Sequence, residues 1–197
     1  NPETGALVEK HKLELPGTPG PLAFSPDKKL VYAAMTGVGD VPAAVATLRR
    51  EKDGSLSLLA TATIRTRAPY IRADRSGNFL LAAHYGSGEV TMYRITDGLV
   101  TDEMLDHHVT EKTAHCIEID RSGQFVFVPH TGPNKVYQFR LDPRAGKLVP
   151  NDPPFVTGPD TEHRYHEPRH IAMHPEFSMA FTSNENGGGI TSWKLDP

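Results

Sequence analysis

The chain has 197 residues, of which 38% are hydrophobic and 23% charged, an ordinary balance for a globular protein with a sizeable core. Its formal net charge is -3 and its 21 Lys and Arg residues form no basic stripe, so we expect no nucleic-acid partner. The lone Cys116 excludes an internal disulfide and a cysteine-based zinc site. No apolar run approaches the roughly 18 residues of a membrane span, so we expect no membrane partner, and the cytoplasm is favoured unless a signal has been removed.

One sequence pattern recurs four times along the chain. Its copies open at Pro21, Pro69, Ala114 and Pro168, and they align on Ser25, Asp74, Asp120 and His174. The spacings between the aligned residues are 49, 46 and 54. A recurrence at this interval indicates a repeat architecture. Within each copy, Gly, Pro, Asn and Asp separate short β-rich segments, which is typical of strands and turns.

In chain order, the first three copies each predict four strands. These lie at 21–25, 30–34, 44–48 and 56–64, then at 69–74, 79–84, 89–95 and 99–109, and then at 114–120, 124–130, 135–141 and 147–156. The fourth copy, from residue 168, stops after its third strand, which contains Trp193. The opening segment 5–15 has the pattern of the outer strand of a preceding blade.

Four antiparallel strands in a repeat of about 40 to 50 residues are typical of a β-propeller blade. We therefore predict an all-β protein that forms part of a single propeller domain. Three blades are complete and two partial, with approximate bounds at 1–20 (partial), 21–65, 69–109, 114–157 and 168–197 (partial). Because a propeller closes by radial repetition of about four to eight blades, we expect the remaining blades from the rest of the polypeptide or from a second chain.

Blade geometry predicts one specialised rim at a mouth of the central channel. The first strand of each blade begins there, at Tyr70, His115 and Arg169, beside the turns 36–39, 84–88, 130–134 and 184–189. These turns are rich in Gly, which lets the backbone approach a ligand, whereas the opposite rim carries generic Arg-Ser-Gly turns. Functional residues commonly lie on loops held by a rigid scaffold, so we expect the site at this rim.

Several motifs at this rim resemble those of a known family. They are Pro168-Arg169-His170 followed by His174-Pro175, the Asn184-Glu185 strand end, and the Ala114-His115 strand start. Together with the blade spacing, they resemble the bacterial propeller-type 6-phosphogluconolactonase family, to which a fungal enzyme that cyclises carboxy-muconate is related. The resemblance implies a seven-bladed propeller that acts on lactones, with His115, Arg169 and Glu185 as catalytic residues in the central pocket. A further arginine of the family pattern falls beyond Pro197.

The leading hypothesis is hydrolysis of a sugar lactone, most simply 6-phosphogluconolactone, without a cofactor. Glu185 or His115 would act as general base toward water, and Arg169 would steady the oxyanion or the anionic group of the substrate. His84, Tyr85, His130 and Asn184 occupy equivalent turns and are the further candidates for substrate binding. Two alternatives are a lactone-forming enzyme that acts on an unsaturated dicarboxylate and a non-catalytic propeller that binds a protein partner.

Other residues invite structural interpretations. The long loop 158–167 and the residues after it carry His163, His166, Glu167 and His170, but no metal is expected, because this cluster fits no helical His-x-x-x-His face and lies in a loop bounded by proline. We expect His170 to face the neighbouring blade and His174 to hydrogen-bond within its turn. Trp193 should pack between blades.

Overall fold

The computed structural model describes residues 4–162 and 164–196, and all regular structure within them is β. Three four-stranded sheets follow one another along the chain, then a two-stranded hairpin and a three-stranded sheet. These four larger sheets are blades 1 to 4 of a propeller-like arrangement. Within the described ranges there is no helix, and hence none that could cross a membrane. The prediction of an all-β propeller is confirmed.

The strands of each blade are antiparallel and lie in sequence order. Blade 1 consists of β1 (Thr18–Phe24), β2 (Leu30–Thr36), β3 (Ala43–Arg50) and β4 (Leu56–Ile64). Blade 2 consists of β5 (Tyr70–Ala73), β6 (Phe79–His84), β7 (Glu89–Thr96) and β8 (Leu99–Val109). Blade 3 consists of β9 (Glu118–Ile119), β10 (Phe125–His130), β11 (Lys135–Asp142) and β12 (Lys147–Thr157). The hairpin of β13 (Asp160–Thr161) and β14 (Arg164–Tyr165) precedes blade 4, which consists of β15 (Pro168–Met173), β16 (Met179–Asn184) and β17 (Ile190–Lys194).

Corresponding strands of successive blades are neighbours. The first strands β1 and β5 are in contact, as are β9 and β15, and the fourth strands β4 and β8 also touch. The blades therefore stand side by side with their first strands together, which is the radial packing of a propeller.

The turn between the first two strands of each blade is closed by a side chain at the aligned position. The carboxylate of Asp74 accepts a hydrogen bond from the backbone N–H of Phe79 at 2.8 Å, and Asp120 accepts the equivalent bond from Phe125 at 2.9 Å. In blade 4, Nδ1 of His174 accepts from the N–H groups two and three residues further on, at 3.0 and 2.9 Å. The prediction that His174 hydrogen-bonds within its turn is confirmed.

Apolar layers fill the spaces between neighbouring blades. Tyr32 and Leu80 belong to the layer between blades 1 and 2, and Met92 and Val126 to the layer between blades 2 and 3. Trp193 packs against the layer that joins blades 3 and 4, as predicted. A blade with neighbours on both sides is covered on both faces, so a strand such as β6 is buried at every position. Its sequence is accordingly a nearly continuous apolar run, without alternation of apolar and polar residues.

Most observed strands differ from the predicted bounds by a few residues, and two of the predictions differ more. Residues 5–15 form no strand, although Leu13 and Leu15 pack on the free face of blade 1. A strand needs a neighbour to pair its N–H and C=O groups, and the described residues offer this segment none. The predicted strand 114–120 shrinks to β9, with Ala114 making only an isolated bridge to His130.

Candidate active site

One cavity of about 410 Å³ opens at the predicted rim. Blades 2, 3 and 4 all contribute to its wall, which is lined by Thr66, Arg67, Pro69, Tyr85, Gly86, His115, Arg169 and Glu185. The volume lies within the range of small-molecule sites, about 300 to 1,000 Å³. The structure thus brings together His115, Arg169 and Glu185, as the blade geometry predicts, and Tyr85 joins them.

A β-bulge sets the position of Arg169. The register of β15 on β16 shifts between Pro168 and His170, which leaves Arg169 as the extra residue, and such a bulge re-aims a side chain. Since the two strands are antiparallel, the start of β15 meets the end of β16. Nε of Arg169 consequently lies 3.4 Å from Oε1 of Glu185. The two side chains are 41% and 40% exposed, so both charges remain accessible to a ligand.

His115 is a neutral side chain in this site. Burial, the positive charge of Arg169 and the neighbouring His170 together lower the pKa of His115 to about 4. Its ring stands edge-on between the rings of Tyr85, at 5.8 Å between centroids, and His170, at 4.8 Å. The latter contact agrees with the expectation that His170 faces the neighbouring blade.

Two polar atoms of the site have no hydrogen-bond partner among the described residues, namely Nδ1 of His115 and Nε of Arg169. The contact between Nε of Arg169 and the carboxylate of Glu185 is an ion pair without the geometry of a hydrogen bond. Both atoms are buried. Buried donors and acceptors are nearly always satisfied in folded proteins, and exceptions occur at functional sites. The two orphaned atoms therefore distinguish this cavity from ordinary surface clefts.

His84 and His130, predicted to bind substrate, do not line the cavity. Both are 0% exposed at the ends of β6 and β10, and both rings are hydrogen-bonded within the protein. His84 contacts the carbonyl oxygen of Arg67 at 3.2 Å and the hydroxyl of Thr91 at 2.8 Å. Burial makes these histidines part of the scaffold behind the rim, and this corrects the prediction.

Asn184 also falls outside the cavity wall. Its amide nitrogen donates a hydrogen bond to the hydroxyl of Thr191 at 3.0 Å, which ties the end of β16 to β17. The side chain thus supports the turn that carries Glu185. Of the four predicted substrate-binding residues at these turns, Tyr85 alone contributes to the cavity wall.

Three residues of the cavity wall, Thr66, Arg67 and Pro69, lie on the linker between blades 1 and 2 and are not among the predicted site residues. The predicted rim takes the first residue of the first strand of each blade, which for blade 2 is Tyr70. The linker residues directly before that strand lie at the same rim, so their position in the sequence was sufficient to predict that they line the site. Arg67 adds a second arginine to the cavity wall.

The loop 158–167 packs beside the site. The backbone N–H of Glu185 donates to the carbonyl of Glu167 at 2.9 Å, and a Cβ at Gly187 would lie 2.5 Å from the ring of His166. Among the described residues, no group of three or more His, Cys, Asp or Glu side chains could hold a metal ion. His163, named in the sequence analysis, lies outside the described residues.

The fold and the cavity define a class: a β-propeller with a polar cavity at one mouth of its channel. The chain belongs to the lactonase family of seven-bladed β-propellers, since the model of that family matches residues 1–197. Among curated proteins, a 6-phosphogluconolactonase of Enterobacter sp. (strain 638) is 27% identical over 191 residues, which are 97% of this chain and 55% of that protein.

Two solved structures are similar in fold. The periplasmic gluconolactonase of Pseudomonas aeruginosa superposes with a TM-score of 0.71 at 22% identity, covering 91% of this chain and 58% of the other. A protein of Bacteroides fragilis NCTC 9343 assigned as a 6-phosphogluconolactonase has a TM-score of 0.78 at 21% identity, covering 91% and 54%. The chain spans about half the length of these relatives.

Proposed function

We propose that this chain supplies the active-site rim of a lactonase that hydrolyses a sugar lactone, with 6-phosphogluconolactone as the leading substrate. One observation carries the proposal: the carboxylate of Glu185, the guanidinium of Arg169 and the neutral ring of His115 line a single cavity. The Enterobacter relative, named for this activity, supports the choice of substrate.

Hydrolysis of a lactone needs a base, a water molecule and a stabiliser for the oxyanion. The water loses a proton to the base, and its oxygen bonds to the carbonyl carbon to form a tetrahedral oxyanion. The ring C–O bond then breaks, and the ring oxygen takes up the proton to give the hydroxy acid. Arg169 is the donor that stabilises the oxyanion, because a positive charge where negative charge develops lowers the barrier.

Glu185 is the general base of this proposal. Burial, together with repulsion from the guanidinium of Arg169, lowers the pKa of His115 to about 4, so this ring is a poor proton acceptor. Proton uptake by Glu185 neutralises a carboxylate and creates no cation beside Arg169. Neutral His115 then serves as a hydrogen-bonding partner that holds the water or a substrate hydroxyl.

The remaining blades are proposed to come from the rest of the polypeptide or from a second chain. Blade 4 has three strands where the others have four, and Ile190 on β17 is 73% exposed. Large exposed apolar side chains at a sheet edge are suited to burial against further protein. Comparison of the intact mass of the natural protein with that of this chain tests this proposal.

The functional test measures acid release from 6-phosphogluconolactone above the spontaneous rate, in the longest natural polypeptide that carries this chain. We expect the wild type to accelerate hydrolysis and Glu185→Gln to lower kcat by about 10²- to 10⁴-fold, with KM nearly unchanged. His115→Asn should lower kcat less, because the ring is not the base. Full activity in both Glu185→Gln and His115→Ala would show that the reaction is not catalysed at this rim.

A further inference from the structure

Arg67 and Arg169 line the same cavity from different parts of the fold. Arg67 belongs to the linker that enters blade 2 and Arg169 begins blade 4, so blade 3, which carries His115, lies between them in the order of the blades. Arg169 is the arginine that contacts Glu185, whereas Arg67 makes no such ion pair among the described residues. Arg67 is thus not part of the Arg169–Glu185 pair.

The side chain of Arg67 has no carboxylate partner in residues 4–162 and 164–196. Its neighbours differ: Arg65 contacts Glu89 at 2.9 Å, and Arg169 contacts Glu185 at 3.4 Å. Protein carboxylates thus already engage those two arginines, whereas the five N–H donors of Arg67 have no acceptor among the described residues. An unpaired guanidinium on a cavity wall is suited to an incoming anion.

The backbone that carries Arg67 is held in place by buried groups. Its carbonyl oxygen can only accept, so Nδ1 of His84, at 3.2 Å, carries the proton and donates to it. Burial lowers the pKa of His84 and keeps the ring neutral. On the other side, the N–H of Arg65 donates to the hydroxyl of Tyr93 at 2.7 Å.

Two points of the linker backbone, the N–H of Arg65 and the carbonyl of Arg67, are therefore held by hydrogen bonds before a ligand arrives. A preorganised backbone reduces the ordering cost of binding. Arg67 lines the cavity from this hydrogen-bonded stretch of backbone.

We propose that Arg67 recognises a phosphate group on the substrate, at the end of the molecule remote from the lactone carbonyl, and so selects phosphorylated sugar lactones. The planar guanidinium matches two phosphate oxygens in a bidentate contact. This inference rests on the proposed function for the identity of the ligand. Arg169 then stabilises the oxyanion formed from the lactone carbonyl, and Arg67 binds the phosphate. From the sequence alone, Arg169 is the candidate for both roles.

The experiment measures binding, so that it does not depend on turnover. Isothermal titration calorimetry compares 6-phosphogluconate with gluconate, two acids that differ by one phosphate, on the wild type and on Arg67→Gln. The matched control is Arg121→Gln, which removes the same charge from an exposed turn at the opposite rim. We expect Arg67→Gln to weaken 6-phosphogluconate binding about 10- to 150-fold, the loss of one charge-assisted hydrogen-bonded contact, and to change gluconate binding less than about threefold.

The outcomes separate the inference from the proposed function. Equal losses for both acids, no loss for either, or the same selective loss in Arg121→Gln would overturn the role of Arg67. A wild type that binds 6-phosphogluconate through Arg67 but hydrolyses no lactone would leave the inference standing and remove the proposed function. Rescue of selective binding by Arg67→Lys would support recognition by charge, since lysine also binds phosphate.

Discussion

The buried ring of His130 makes a sharp prediction about stability and pH. The side chain is 0% exposed at the end of β10, its Nδ1 lies 2.9 Å from the carbonyl of Val128, and its Nε2 lies 2.8 Å from the hydroxyl of Thr110. Burial lowers the pKa of His130 from 6.5 to about 4, and the positive charge of Lys135 also lowers it. The hydrogen bond to the carbonyl of Val128 and the negative charge of Glu111 raise the pKa, but they do not offset the effect of burial.

The sign follows from this lowered pKa. Above pH 6.5 the ring is neutral in the folded and the unfolded chain, so the full stability is present. Between pH 6.5 and about 4 the unfolded chain binds a proton that the folded chain excludes, and stability falls as the pH falls. The complete shift corresponds to about 3 kcal/mol of unfolding free energy, of which about 2 kcal/mol is lost by pH 5.

Urea unfolding at pH 7.5 and at pH 5 measures this effect. Between pH 7.5 and pH 5, we expect the free energy of unfolding to fall by about 2 kcal/mol more in the wild type than in His130→Gln, because the variant lacks the titrating ring. Comparison with the variant cancels the contribution of Glu111, which titrates in both proteins. Equal losses in the two proteins, or an NMR titration of His130 that gives a pKa near 6.5, would show that burial does not lower the pKa of this ring.

Two further predictions concern catalysis and packing. Arg169→Gln should lower kcat by about 10²- to 10³-fold for both phosphorylated and neutral lactones, because an oxyanion forms in either case; a loss confined to the phosphorylated lactone in steady-state kinetics would contradict this. Gly88→Ala should destabilise the protein by about 1 to 3 kcal/mol in urea unfolding, since Gly88 has a φ of +69° and a Cβ there would lie 2.5 Å from the backbone of Glu111. Gly86→Ala, with no heavy atom within 4 Å of the added Cβ, is the control, and equal stability of the two variants would be the contrary result.

Much of the fold could be predicted because each blade repeats the same local chemistry. Turn-closing side chains such as Asp74 and Asp120 occur at a regular interval, and β6 and β8 have the predicted bounds. Residues 5–15 could not be predicted correctly, because a strand also depends on a neighbour that the local pattern does not reveal. The meeting of Arg169 with Glu185 followed from antiparallel pairing alone.

The finer composition of the site depends on directions that a sequence does not contain. His84 and Tyr85 are adjacent in one turn, yet the first is buried against the scaffold and the second lines the cavity. A β-bulge decides where Arg169 points, and a linker outside any strand supplies Arg67. These features follow from the packing of one blade on the next.

A crystal structure of the natural protein with 6-phosphogluconate bound would test the location of the active site. We expect the product to lie in the cavity at this rim, with its carboxylate within hydrogen-bond distance, about 2.7 to 3.2 Å, of Arg169 and its phosphate against Arg67. Glu185 should lie beside the carboxylate carbon. A product bound at another mouth or surface, with this cavity empty, would contradict the assignment of the active site to this rim.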